Sequence, residues 1–396
     1  MSSHAPEYAD EIWLKRRDVA TSQVIPWLQR FKRLAGATVL EYGCGTGAVS
    51  CAFAPVVARH IGYDIDPAAI AIAEGHLQAH GAENVELAAV GADEIFDAVR
   101  GHRGEPDVVL LYAVIEHMTI AERLELLDVA QEIVAEDGLI VVVETPNRLV
   151  WPDWHTSFLP FLSQLPDELA LAYADRSPRD DFREAIEKAA AGGRSEGLEA
   201  LTRWGRGASF HEFELAFGDL TTRVLSGGFD PILSPERPVR WEELALAREL
   251  ERVRPDVAPP FGRYWIDVIL SARPVDPAEV SFIWPWTMET RLSPGRYTKW
   301  DSIAMDADVP LIAELPCPSR RVLATISLAE PAATVTMEAG GGRYTRGVTG
   351  EPGAQLTIDF ELPAHDELVQ LTADRPTTLH FLGYEAPASR PDKVTG

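Results

Sequence analysis

The chain is poor in cysteine, in basic residues and in long apolar runs. Its cysteines are Cys44, Cys51 and Cys317, three in 396 residues. So sparse and odd a set is no disulfide framework, and the reducing cytoplasm is the expected compartment. Lys and Arg number 36 against 61 Asp and Glu, a formal charge of −25. A surface this acidic repels phosphate backbones and anionic lipid, so neither nucleic acid nor a membrane is an expected partner. No run approaches the ~20 apolar residues that span a bilayer. The longest, Val108 to Leu111 and Leu139 to Val143, are strand-length. Met1 to Lys15 is polar and acidic and has no signal-peptide core. Internal repeats and low-complexity tracts are also missing.

What is present is an ordinary globular balance, 46% hydrophobic and 24% charged. At ~150 residues per domain the length implies two or three domains. Residues 1–36 read as helical, with Trp13, Val19, Val24, Trp27, Leu28 and Phe31 at roughly helical spacing. Short β runs then alternate with amphipathic helices. Strands are expected at Ala37 to Tyr42, His60 to Ile65, Val85 to Ala88, Asp107 to Tyr112 and Leu139 to Glu144. Helices are expected at Gly47 to Arg59, from Pro67 to near Gly81, and at Ile120 to Val134. Strands spaced by helices of this length make βαβ units and a mostly parallel sheet.

The alternation breaks over 147–210, where Trp151, Trp154, Phe158 and Phe161 precede a charged, Ala-rich helical stretch. This segment reads as an insertion over the carboxyl end of the sheet, the end where doubly wound sheets bind ligands. The pattern resumes with a helix near Glu212 to Ser226 and strands near Phe229 and at Tyr264 to Ser271. Beyond Arg273 to Asp276 helical periodicity fades. Strand-like runs at Val280 to Trp284, Arg321 to Leu328, Ala333 to Glu338, Gln355 to Glu361 and Thr377 to Tyr384 predict an all-β sandwich or jelly roll over 275–396. Trp284, Trp286 and Trp300 are either stacking platforms for sugars or core residues; large aromatics are more often core.

The most informative stretch is Glu41-Tyr42-Gly43-Cys44-Gly45-Thr46-Gly47, which follows the first strand and opens a helix. Glycines let the backbone turn sharply and come close to a ligand. Gly62-Tyr63-Asp64-Ile65 ends the second strand about 20 residues later, where a carboxylate accepts hydrogen bonds from ribose hydroxyls. Asp93 lies past the third strand, within reach of an adenine amine, and Tyr112 to His117 follows the fourth. Glu41 beside the loop disfavours a pyrophosphate, which its carboxylate would repel.

With Ile115-Glu116-His117 and Glu144-Thr145-Pro146-Asn147, these motifs make residues 35–273 resemble the class I S-adenosylmethionine-dependent methyltransferases. The resemblance implies a seven-stranded doubly wound sheet with a reversed last hairpin, spanning 37–273 with 147–210 as a lid. It also implies S-adenosyl-L-methionine as cofactor. Glu41, Gly43, Gly45, Gly47, Asp64, Ile65, Asp93 and Tyr112 are then the expected cofactor contacts.

Methyl transfer to a hydroxyl needs alignment and a base. The candidates are His117, His155 and His211. Each also has a plain structural alternative: a helix cap, a buried polar residue, and a helix-start residue. Some ubiquinone-biosynthesis and small-RNA 2′-O-methyltransferases carry Glu-x-x-Glu-His and hold a divalent metal there. By that finer resemblance the metal residues are Glu116, His117 and His211, but Ala113 stands in place of the first Glu. Losing one ligand weakens a hard-cation site. The expected activity is O-methylation of a small polar, sugar or natural-product acceptor. A metal-assisted RNA 2′-O-methyltransferase and a non-catalytic cofactor-binding assembly protein are the alternatives. The β domain is a candidate homo-oligomer contact.

Overall fold

The structure is a computed structural model that describes residues 6–233, 237, 239–285, 297–299, 302–305 and 311–387. The helical start is α1 (Pro6–Val19), a π-helical turn (Ala20–Val24) and α2 (Ile25–Leu28), and it buries Trp13, Val24, Trp27 and Leu28. Then follow β1 (Thr38–Tyr42), α3 (Ala48–Phe53), β2 (Arg59–Asp64), α4 (Pro67–His80), β3 (Val85–Ala89), α5 (Ile95–Arg100), β4 (Val108–Tyr112), α6 (Ile120–Ile133) and β5 (Leu139–Pro146). The next elements are α7 (Asp167–Tyr173), α8 (Asp180–Gly192), α9 (Arg194–Arg203), α10 (Phe210–Phe217), β6 (Val224–Gly227), α11 (Trp241–Val253) and β7 (Trp265–Ser271).

The sheet order is β3-β2-β1-β4-β5-β7-β6, with β1 to β5 parallel and β7 antiparallel to β5. The expected seven-stranded sheet with a reversed strand at its end is therefore present. Every residue of β4 is buried, as a strand covered on both faces requires. Chain direction along the sheet reverses between β1 and β4, which puts a ligand crevice outside their carboxyl ends. Local signals fix the helices that flank it. Asp66 caps α4 by accepting from the Ala68 N–H at 2.9 Å, and Pro67 follows at the first helical position. Thr119 and Glu122 close a reciprocal capping box on α6.

The insertion over 147–210 has a core of its own: Leu159, Leu162, Ala170, Ala174, Phe182, Ile186 and Leu201, with Trp204 edge-on to Phe182 at 5.5 Å. It is tied back to the end of β5 by a parallel bridge between Asn147 and Ala208.

Two compact units result. One runs to Leu225 and takes up Tyr264–Val275; the other comprises Ser226–Arg263 and the chain from Asp276. Residues 226–263, placed with the sheet by the sequence reading, thus cluster with the β unit. The expected helix Glu212 to Ser226 is corrected to α10, which stops at Phe217 because Gly218 turns the chain at φ 73°. The strand expected near Phe229 is β6. Helix α11 was not foreseen; it buries Glu243, Ala247 and Leu250.

The β unit contains β8 (Ser281–Pro285), β9 (Tyr297–Lys299), β10 (Ser302–Met305), β11 (Leu311–Leu328), β12 (Ala332–Ala339), β13 (Gly342–Thr349), β14 (Gln355–Ala373) and β15 (Thr377–Pro387). They run in one antiparallel path, β13-β12-β14-β11-β15-β10-β9, with β8 on β15. β12 and β13 pair through the two-residue turn Gly340-Gly341, with φ of 56° and 76°, the positive values such hairpins need. Phe229, Val239, Ala247, Ile283, Leu323 and Phe381 form a cluster within this unit. Trp284 is buried, as the core alternative expects; Trp286 and Trp300 lie outside the described residues.

Candidate active site

The glycine loop joins β1 to α3 at the reversal of the sheet. Gly43, Gly45 and Gly47 have φ of 77°, 51° and 76°. A Cβ on Gly43 would meet Val114 Cγ2 at 2.7 Å, whereas one on Gly45 would meet nothing within 4 Å. The loop is therefore packed against β4's exit on one side and open on the other. Asp64, at the end of β2, accepts the Gly45 N–H at 2.7 Å on Oδ2 and the Asp66 N–H at 2.9 Å on Oδ1. Two backbone donors lock the carboxylate in place, and each oxygen keeps a lone pair for a ligand hydroxyl. Ile65 beside it is 57% exposed, and Asp93 is exposed in the loop before α5.

Glu41 lies in β1, just before the loop. It is 2% exposed, and its Oε2 accepts the Ser50 hydroxyl at 2.6 Å and pairs with His60 Nε2 at 2.9 Å. Tyr112 is buried, and its hydroxyl donates to Glu144 Oε1 at 3.0 Å. Ala113 and Glu144, at the ends of adjacent strands β4 and β5, have φ of 51° and 57°. Left-handed backbone at non-glycine residues costs ~1–3 kcal/mol and concentrates at functional sites. At Glu144 it coincides with a register break in the β5–β7 ladder and with a hydrogen bond from its N–H to Asp267. Such a break takes the residue out of the regular alternation of the strand, and the Glu144 side chain accepts the Tyr112 hydroxyl.

The turn after β4 brings Glu116 and His117 to His155 of the insertion; one ligand atom from each lies within 4.8 Å of the others. The two rings are 5.8 Å apart. Glu116 is fully buried, and its Oε1 has no hydrogen-bond partner. Burial pushes its carboxyl up, opposed by His117. Burial, then the His117 charge, pushes the His155 imidazole down to about 4.

Asp153 holds His155 in place by accepting the N–H groups of His155, Thr156 and Ser157, while Arg179 donates to the His155 carbonyl at 2.6 Å. Arg123, 3% exposed, donates to the carbonyls of Glu116, Met118 and Gly207 and to Glu212 Oε1. It thereby ties the turn after β4 to the end of the insertion.

His211 does not join this group. It is exposed at the start of α10, stacked on Phe210 at 3.9 Å, with its Nδ1 3.0 Å from Ser209 Oγ. The expected set of Glu116, His117 and His211 is thus corrected to Glu116, His117 and His155. The reason is legible afterwards: Ser209 and Glu212 form a capping box, which fixes His211 on the outer first turn. The residues missed beforehand are Asp153, Arg179 and Gly205; Glu144 was named only within the motif Glu144-Thr145-Pro146-Asn147, with no role of its own. Among them only Asp153-Trp154-His155-Thr156-Ser157 carried a local signal, an Asp positioned to cap the next few backbone N–H groups.

Residues 14–189 match a family model described as a methyltransferase domain. A ubiquinone biosynthesis O-methyltransferase of Thiobacillus denitrificans is 36% identical over 92 residues, 23% of this chain and 38% of that protein. One of Azorhizobium caulinodans is 34% identical over 134 residues, 34% and 50% of the two chains. The chain therefore spans half or less of the length of these curated relatives. Magnesium protoporphyrin IX methyltransferase from Synechocystis, solved with bound S-adenosylmethionine, aligns at 20% identity over 37% of this chain and 67% of that one, TM-score 0.30. No described helix is long and apolar enough to cross a membrane. With the glycine loop, the Asp64 carboxylate and the sheet order above, residues 14–189 carry a class I S-adenosylmethionine-dependent methyltransferase domain.

Proposed function

We propose that this protein transfers a methyl group from S-adenosyl-L-methionine to an oxygen of a small polar, sugar or natural-product acceptor. The observation that carries the reading is the loop–carboxylate pair: an open cradle at Gly45, and Asp64 locked beside it by two backbone donors. A nucleoside ligand fits this pair, because its ribose diol supplies two donors to a fixed carboxylate. When bound, the cofactor supplies an electrophilic methyl on a sulfonium.

The chain's own residues do the rest. Gly45 leaves room for the ligand's chain; Asp64 orients the ribose. His117 and His155, at the carboxyl edge of β4 and on the insertion, accept a hydrogen bond from the acceptor hydroxyl and turn its oxygen toward the methyl. The insertion, with Trp151 stacked on Phe161 at 5.6 Å, keeps water from the reacting atoms. O-methyl transfer, rather than N- or C-methyl transfer, is supported by the naming of the ubiquinone biosynthesis relatives and by the histidine pair, which suits a hydroxyl proton. The charge of −25 supports a non-nucleic-acid acceptor.

The test is S-adenosylhomocysteine formation against a panel of hydroxylated sugars, phenols and glycosylated metabolites. Turnover with a hydroxyl acceptor, abolished in Asp64→Ala, is the expected result. Turnover confined to amines or to RNA would refute the acceptor assignment.

A further inference from the structure

We infer that Trp13 of α1 and His76 of α4 are positioning residues for the cofactor: acting through the Thr46 carbonyl, they hold the glycine loop in its binding shape. The inference rests on the assignment of this loop to S-adenosyl-L-methionine.

The loop is tied down from within at most points. The Gly43 and Cys44 N–H groups donate to the Tyr63 carbonyl at 2.7 and 3.1 Å, and the Gly47 N–H donates to the Cys44 carbonyl at 3.0 Å. With the Gly45 N–H on Asp64, four of its N–H groups are spent inside the chain. Thr46 is the exception in its setting. It stands between Gly45 at φ 51° and Gly47 at φ 76°, and glycine has the widest choice of backbone angles. The Thr46–Gly47 peptide therefore lies between two soft joints. Its N–H end is held inside the loop; its carbonyl end is held from outside.

The holders come from two helices. Trp13 Nε1 donates to the Thr46 carbonyl at 3.1 Å. His76 Nδ1 lies 3.0 Å from the same oxygen; a carbonyl only accepts, so Nδ1 carries the proton. Two ring N–H donors thus converge on one carbonyl oxygen of the loop. The donors are themselves fixed. The Trp13 ring centre lies 4.4 Å from that of His76 and 5.2 Å from that of His80, and the Arg17 guanidinium sits 5.2 Å from it. Arg17 Nη1 donates to His80 Nε2 at 2.7 Å, and His80 Nδ1 donates to the His76 carbonyl at 2.9 Å. The apolar part of Trp13 packs with Leu77 of α4 and with Ala48 and Cys51 of α3, the helix that the loop opens. A buried indole usually finds some partner for its N–H; here the partner is the loop oxygen between the two glycines, and a second donor meets it there. Because coupling is reciprocal, cofactor on the loop should in turn stabilise the docking of α1.

The test is isothermal titration calorimetry of the full chain with S-adenosyl-L-methionine. Trp13→Phe keeps an aromatic ring and loses the N–H. His76→Leu removes the second donor, whereas His76→Asn places an amide N–H near the Nδ1 position. Trp13→Phe/His76→Leu should bind roughly tenfold more weakly, the net worth of two hydrogen bonds. Each single variant should lose roughly threefold or less, because the other donor still holds the oxygen. Trp13→Phe/His76→Asn should recover most of the loss. Leu77→Ala damages the same apolar cluster and touches no loop atom, so it should lower Tm and keep wild-type affinity. Cofactor should also slow hydrogen–deuterium exchange across α1 in wild type and do so less in the double variant. Equal affinity in folded wild type and Trp13→Phe/His76→Leu would overturn this inference alone, as would an equal loss in Leu77→Ala, which would make packing the cause. Folded wild-type chain that binds no S-adenosyl-L-methionine would overturn the cofactor assignment and this inference with it.

Discussion

Asp153→Ala is the perturbation that most directly probes how the insertion positions His155. The carboxylate is 7% exposed. Its Oδ1 accepts the His155 N–H at 3.1 Å and the Thr156 N–H at 2.8 Å; its Oδ2 accepts the Ser157 N–H at 2.8 Å and the Ser157 hydroxyl at 2.6 Å. Hydrogen bonds to a charged group contribute ~1.5–3 kcal/mol each, and a buried donor left unpaired costs ~1–3 kcal/mol. Bonds that share one acceptor are not additive, and the half-buried His155 end can rehydrate. The expected net loss is about 3–5 kcal/mol, below the simple sum. Other anchors remain: Arg179 on the His155 carbonyl and the Ser177 hydroxyl on the Ser157 carbonyl at 2.6 Å. The damage should therefore appear first as local opening. Hydrogen–deuterium exchange at amides 155–157 should quicken by roughly two to three orders of magnitude, with strands β1 and β4 unchanged. Asp153→Asn keeps one acceptor oxygen and should fall between. S-adenosylmethionine affinity should hold, because no Asp153 contact reaches the glycine loop. Unaltered exchange at 155–157 in a folded Ala variant would refute the reasoning.

Two other perturbations follow from the same geometry. Arg123→Met removes a buried cation and leaves the Glu212 carboxylate, 3.2 Å away, without its ion partner; a loss of about 3–5 kcal/mol in urea denaturation is expected, and a loss below 1 kcal/mol would contradict the hub role. Arg203 grips Glu122 with two bonds of 2.7 and 2.8 Å and holds its carboxyl below the usual range. A depressed carboxylate contributes stability that is present above its unfolded value and is lost as pH falls through the folded one. Glu122→Gln should therefore lose stability at pH 7 and show a flatter stability profile below about pH 4.3 than wild type; parallel profiles would contradict the pairing.

How much of this was legible beforehand depends on range. The strand–loop–helix around Gly43 to Gly47 and the carboxylate at Asp64 are local patterns, and strand periodicity plus turn chemistry placed them within a residue or two. α4 was legible at both ends because Asp66-Pro67 and Gly81 punctuate it. α10 could have been stopped at Gly218 by the same reasoning. α11 shows the apolar series Leu244, Ala247, Leu250 behind Glu242 and Glu243, but it lies between prolines where strands were sought. The partner of Glu116 and His117 was not legible. His211 follows the familiar chain order, whereas His155 reaches the site only because the insertion folds on its own core and Thr156 meets Gly205 across 49 residues. No sequence spacing encodes that return.

The central claim is that the glycine loop and Asp64 bind S-adenosylmethionine, and isothermal titration calorimetry of the wild-type chain and Asp64→Ala tests it most directly. The account predicts micromolar binding by wild type and a loss of roughly a hundredfold in the variant, about 3 kcal/mol for two charge-assisted contacts. Absence of binding by folded wild-type protein, or equal affinity in the two, would contradict it.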